Sequence, residues 1–285
     1  MSKHLSILWA ILAAALYAVN APVSKLLLQE ATPTMMAAML YLGAGIGMLL
    51  LGMARQQLKI GKNEQKLTRK DFPFAVGMIV LDIAAPICLM IGLRSTTSAN
   101  ASLLNNFEIV ATSVIALLVF KEAIGKRLWL AVGLITLSSV ILSMEDASSL
   151  HFSAGSLFVL LACICWGVEN NCTRMMSQSD PLEIVVLKGF GSGLGSLAIA
   201  FVVGEQLPPL RLILCALLLG FVSYGLSIFF YVYAQRKLGA AKTSAYYAIS
   251  PFIGVLLSLL IFQEMPSLSF WAALLIMALG AYFAA

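Results

Sequence analysis

Apolar runs of about 17 to 24 residues follow one another along almost the whole chain, interrupted only by short polar or turn-forming stretches. A hydrocarbon core about 30 Å thick is crossed by roughly 20 residues of helix, so each run is long enough to span a bilayer. The predicted spans are 5–28, 33–53, 72–92, 96–119, 127–143, 154–176, 181–203, 211–233, 239–262 and 268–284, ten in all. Only 11% of the 285 residues are charged and 61% are hydrophobic, too little polarity to clothe a water-soluble globule. Lys3 ahead of the first run has the look of a secretory signal, but the apolar stretch continues past Pro22 to Leu28 and is read as a retained helix. The five cysteines all lie inside apolar stretches and read as small packing residues, neither a disulfide framework nor a metal cluster.

Lys and Arg distribute unequally over alternate loops. Lys3, the six basic residues from Arg55 to Lys70, Lys121, Lys126, Arg127, Arg174, Arg236, Lys237 and Lys242 fall on one side, fourteen of 18, against Arg94 and Arg211 on the other. Because basic loops stay in the cytoplasm, both termini are placed there. The net charge of +5 is thereby an orientation signal, and nucleic acid is not expected as a partner.

The chain repeats itself. A shift of 142 residues superposes Arg94 on Arg236, Ser102 on Ser244, Phe120 on Phe262, Glu122 on Glu264 and Trp129 on Trp271. Nearer the start of each half a shift of 148 to 149 sets Gly43, Gly45 and Gly47 on Gly191, Gly193 and Gly195, and Tyr17 to Asn20 on Trp166 to Glu169. Two five-helix units result, residues 1–143 and 154–285. Five is odd, so the second unit enters the membrane from the opposite side, an inverted repeat of the kind secondary transporters use. The expected fold is an all-α integral membrane bundle of ten helices.

These features resemble the drug/metabolite transporter superfamily, and within it the EamA-type branch. The resemblance rests on ten short helices, on an aromatic and polar pattern in the first helix of each half (Tyr17, Asn20, Ser24, Lys25; Trp166, Glu169, Thr173, Arg174), and on the Phe-x-Glu ending helices four and nine. It covers the chain from about Leu5 to Ala285. It implies a pseudo-symmetric bundle in which helices one, three, four, six, eight and nine enclose a cavity and work by alternating access. Members commonly export amino acids or related metabolites, and some import choline, nucleotide sugars or triose phosphates. Carboxylates at mid-membrane depth set this chain apart from a neutral cavity.

A charge at the centre of a membrane helix costs on the order of 3 kcal/mol or more, so each one calls for a partner or a function. Glu108 lies at the midpoint of helix four, on one face with Ser98, Asn105 and Thr112, and that face must look into the bundle. Asp82 lies at the midpoint of helix three, one turn before Pro86; it is either a cavity ligand or half of an ion pair with a neighbouring helix. Trp166 and Glu169 share a face of helix six, matched in helix one by Tyr17 and Asn20, and an aromatic beside an acceptor suits an ammonium group. Helices eight and nine add Tyr224, Tyr231, Tyr246 and Ser250, with Ser250 the repeat partner of Glu108. Tyr17, Asn20, Asp82, Asn105, Glu108, Trp166, Glu169, Tyr224, Tyr231, Tyr246 and Ser250 form the candidate substrate site. Pro86 and Pro251 are candidate gating kinks. Lys188 is expected to snorkel or to pair locally with Glu183, outside the site.

No catalytic constellation or cofactor-binding motif can be assembled, so no enzyme activity, metal or cofactor is expected. The expected partners are the lipid bilayer and a small-molecule substrate, an amino acid or amine-containing metabolite, moved across the plasma (bacterial inner) membrane in the outward direction that the family resemblance implies. Protonation of one mid-membrane carboxylate would couple that movement to a proton gradient. The alternatives are efflux of lipophilic or quaternary ammonium cations, and a non-transporting membrane scaffold or sensor.

Overall fold

The computed structural model describes residues 3–58, 65–121, 125–146 and 151–284. It is helical apart from a short hairpin of β1 (Met144–Asp146) and β2 (His151–Phe152). The helices are α1 (Lys3–Ala18), α2 (Asn20–Leu27), α3 (Pro33–Gln57), α4 (Phe72–Ser95), α5 (Ser98–Leu104), α6 (Phe107–Phe120), α7 (Lys126–Ser143), α8 (Ala154–Met176), α9 (Pro181–Val202), α10 (Leu210–Gly220), α11 (Ser227–Tyr247), α12 (Ser250–Phe262) and α13 (Leu268–Ala284). A π-helical segment, Phe221–Leu226, joins α10 to α11.

Eight helical stretches among the described residues are long and apolar enough to cross a membrane, and α12 and α13 are shorter apolar helices. Large apolar side chains such as Leu50, Val80, Leu118, Leu214 and Leu275 stand on the outside of the bundle, where lipid replaces water as their solvent. Contacts between helices use small residues instead: Ala10, Ala13 and Ala14 are wholly buried on α1, which packs on α11. The glycine stripes of α3 and α9 meet each other. A Cβ on Gly189 would lie 2.4 Å from the Gly45 Cα, so only glycine allows these two backbones to touch.

Three predicted spans are broken. The first divides at Val19, the fourth at Asn105–Asn106 and the ninth at Ala248–Ile249. Two breaks have a proline just beyond them, Pro22 and Pro251, whose missing N–H leaves the carbonyl four residues earlier without its helical donor. The gating kink expected at Pro251 is therefore a full interruption, whereas α4 runs continuously from Phe72 to Ser95 through Pro86. The expected loop between spans eight and nine is also absent as such, because α11 is helical from Ser227 to Tyr247. A straight helix would part its ends by about 30 Å. The Tyr247 hydroxyl nevertheless lies 3.3 Å from Ser227 Oγ, so the chain doubles back within this element.

α6 and α12 end alike. Lys121 and Gln263, the central residues of the two Phe-x-Glu sequences, cap them in the left-handed region with φ of 54° and 52°.

The two ends of the bundle are tied differently. At the end rich in basic residues, the Asp180 N–H donates to the Gln65 carbonyl at 2.7 Å, Glu183 accepts from the Leu67 N–H at 3.0 Å, and Arg236 donates to the carbonyls of Ser177 and Ser179. At the other end Lys25 Nζ donates to the Leu93, Arg94 and Thr96 carbonyls, and Glu205 accepts from Thr32 Oγ1 and the Met35 N–H. Lys25 thus places a cation at the C-terminus of α4, the negative end of that helix dipole.

Candidate functional site

A cavity of about 60 Å³ lies in the middle of the bundle, walled by Tyr17, Tyr41, Trp166, Tyr224, Tyr231 and Tyr247 and carrying Glu108, Glu169, Asn170, Thr173 and Lys188. Along α8 it takes Trp166, Glu169, Asn170 and Thr173, each within one turn of the last, as residues sharing a helix face are spaced. These residues lead from mid-helix toward Arg174 and Ser177, so the cavity runs toward the basic end.

The aromatic walls hold one another. Tyr41 and Tyr224 stack with centroids 4.9 Å apart, and Tyr17 turns its ring against Trp166, Tyr224 and Tyr247 at 6.4, 5.9 and 5.7 Å. Tyr231 meets Tyr247 edge to face at 5.0 Å. Such contacts fix ring orientation and leave π faces available to a cation.

Behind the aromatics sits a buried ionic cluster. Lys188 Nζ is 2.9 Å from Glu169 Oε1 and 3.1 Å from Asp82 Oδ2, joining α9, α8 and α4. Tyr41 donates its hydroxyl to Asp82 Oδ1 at 2.7 Å, and Thr173 donates to Glu169. Every charge in this cluster has a partner of opposite sign, the condition under which ions survive at low dielectric. Glu108 is different: it accepts a hydrogen bond from Asn170 Nδ2 at 2.5 Å, and no cation approaches it within ion-pair distance among the described residues.

Of the candidate residues, Tyr17, Glu108, Trp166, Glu169, Tyr224 and Tyr231 line the cavity. Asp82 is fully buried behind Lys188 and Tyr41 and belongs to the ionic cluster. Asn20 also sits one layer back, donating to the Tyr224 hydroxyl at 3.3 Å. Asn105 and Ser250 border a separate small void that touches the cavity only through Tyr17. The polar face expected on helix four is divided by the break at Asn105–Asn106: Ser98, beyond the break, bonds Ser258 instead.

Two expectations fail. Tyr246 is exposed on the outside of α11, and its neighbour Tyr247 takes the place in the cavity, since residues adjacent in a helix point about 100° apart. Lys188 neither snorkels nor pairs with Glu183, which accepts from the Leu67 N–H; it is 4% exposed and holds the ionic cluster together. Tyr41, Asn170 and Thr173 also line the cavity and were missing from the candidate set. Depth was the available signal for Lys188, which stands seven residues inside a helix that begins at Pro181.

Among the described residues no group of three His, Cys, Asp or Glu side chains could hold a metal ion, and the described cysteines are unpaired.

The model of the EamA-like transporter family matches residues 4–144 and again residues 153–285. A protein of Methanothermobacter thermautotrophicus described as an uncharacterized transporter is 25% identical over 264 residues, 87% of this chain and 76% of its own length. A solved structure titled only as the crystal structure of a protein superposes with a TM-score of 0.71 at 17% identity, covering 99% of this chain and 97% of that one. At that identity the superposition speaks for the fold.

Proposed function

Because the chain belongs to the EamA-like transporter family of the drug/metabolite transporter superfamily, a multi-pass membrane transporter of small molecules, we propose that it exports a small amino acid or amine-containing metabolite by alternating access. The observation that carries the reading is Glu108, a carboxylate in an aromatic-walled cavity with an amide as its neighbour and no cation beside it. A substrate ammonium would supply the missing charge and rest against the faces of Tyr17, Trp166 or Tyr247. Lys188 lies within ion-pair distance of Asp82 and Glu169 and borders the same cavity, where its ammonium would also meet a substrate carboxylate. The pairing of opposite charges across one small space favours an amino acid over a simple amine. A cavity of about 60 Å³ suits that substrate better than a bulky lipophilic cation.

The architecture proposed is ten passes in two inverted five-helix units, with both termini cytoplasmic. The helix contacts support it: α4 packs on α8, α1 on α11, α3 on α9, α5 on α12 and α7 on α13, a set that maps onto itself when the halves are exchanged. The cavity runs toward the basic end, which the positive-inside rule puts in the cytoplasm, so substrate would load from there. The membrane is taken to be the plasma membrane, and protonation of Glu108 in the empty carrier would couple export to a proton gradient.

Flux of labelled amino acids in proteoliposomes tests the proposal. Glu108→Gln is expected to lower transport at least tenfold and to flatten its pH dependence. Full flux with an unaltered pH profile would remove Glu108 from the mechanism.

A further inference from the structure

The second void of the interior is far smaller, about 10 Å³, and lies where the three broken helices meet. Ala18 lies at the end of α1, Ser102 in the last turn of α5, Asn105 in the break that follows it, and Ser250 opens α12. Ser102 and Ser250 are 3% and 1% exposed, and the hydroxyl of each lacks a hydrogen-bond partner among the described residues. A buried hydroxyl without a partner loses its hydration and gains nothing in return, so two around one void indicate an occupant. The Ala18 carbonyl is a third oxygen here: Pro22 offers it no N–H, and it lies 3.3 Å from where a Cβ on Gly254 would stand, on the wall of the void.

We infer that this hinge void is a binding site for one dehydrated monovalent cation of sodium size, held by the Ser102 and Ser250 hydroxyls and the Ala18 carbonyl, with Asn105 on the wall beside them. The volume is about that of a single water-sized occupant, which excludes an organic substrate. The lining is neutral oxygen, the ligand type hard cations prefer, and at the first break Pro22 leaves the Ala18 carbonyl without its helical donor. Each break brings together one helix C-terminus and one N-terminus, so the helix dipoles largely offset. The local field is then set by the ionisable groups next door, where even with Glu108 protonated Asp82 and Glu169 outnumber the ammonium of Lys188 among the described residues. That excess of negative charge attracts a cation across a low-dielectric interior. An ion bound here ties α1, α5 and α12 at their hinges and so holds the end beyond the cavity shut.

The test uses the purified full-length protein without substrate, so its outcome is independent of the transport proposal. Thermal unfolding is compared in sodium chloride, potassium chloride and choline chloride at equal ionic strength, together with direct binding of radioactive sodium. Wild type is expected to bind sodium saturably and to unfold at a higher temperature in sodium than in either other salt. In the S102A/S250A double variant that difference should vanish, while stability in choline stays at or above wild type because the two orphan hydroxyls are gone. If the double variant does not fold, S102A or S250A alone should raise the sodium concentration needed for half the shift at least tenfold. Equal unfolding of wild type in all three salts would overturn the proposal. So would a sodium response that survives both substitutions, or a loss of stability in the double variant that is the same in every salt, the signature of an ordered water.

Discussion

The two ends of the interior are built from different materials. On the side of the basic loops, Asp82, Lys188 and Glu169 are locked by charge and braced by Tyr41 and Thr173. On the far side, α5 meets α12 through hydroxyls and small residues: Ser98 and Ser258 lie 2.5 Å apart, and Gly254 rests on Ser102. A buried ion pair that loses one partner costs about 3–5 kcal/mol, whereas a neutral hydrogen bond contributes about 1 kcal/mol net. The far side can therefore part and re-form at modest cost, while the charged cluster stays intact. In the alternating-access cycle proposed above, the hydroxyl side would be the gate and the charged side the anchor.

Replacing Lys188 by Met attacks the anchor. Asp82 and Glu169 would then face each other without a cation, and a destabilisation of about 3–5 kcal/mol is expected in chemical or thermal unfolding. Adding Asp82→Asn to Lys188→Met should recover part of it, and a double variant no better than the single one would show that the pair is not coupled. Gly254→Val attacks the gate. Its Cβ would stand 2.8 Å from Ser102 Oγ and 3.0 Å from Ser102 Cβ, so α5 and α12 must separate, at a cost of about 1–3 kcal/mol. Cysteine labelling from the far side should quicken in this variant and remain unchanged in Lys188→Met/Asp82→Asn if gate and anchor are distinct. Ser258→Ala is milder, about 1 kcal/mol, and an effect as large as that of Lys188→Met would erase the contrast between the two ends. Smallest is Lys121→Gly, which relieves a left-handed residue outside both regions and should stabilise by about 1 kcal/mol in the same unfolding assay.

Much of this was legible in the residues. The apolar runs gave the helices, because in a bilayer length and composition leave a backbone few other choices. The shared face of Trp166 and Glu169 and the inward direction of Glu108 followed from helical periodicity and the cost of a charge in lipid. The helix breaks did not follow. Pro251 signalled one of them and Pro22 was available as a signal for another but was read through, while Asn105–Asn106 interrupts its helix with no proline, and Ser98 and Asn105 lie apart from Glu108 across it. Lys188 was obscured for another reason. Its partners Asp82 and Glu169 come from helices far along the chain, whereas Glu183, one turn and a fraction away, looked like the natural mate. Periodicity assigns a face to a helix, but which faces meet is a property of the assembled bundle.

The bond network around Lys25 bears on how the molecule can move. α1 packs mainly on α11, from the second half of the chain, while α2 is fastened by Lys25 to the end of α4 and lies against α5 from the first half and α10 and α12 from the second. The two parts of the first span thus have different neighbours on either side of Val19. A movement that parts α1 and α11 from α4 would bend the chain at Val19, inside a span, whatever the loops outside the membrane do.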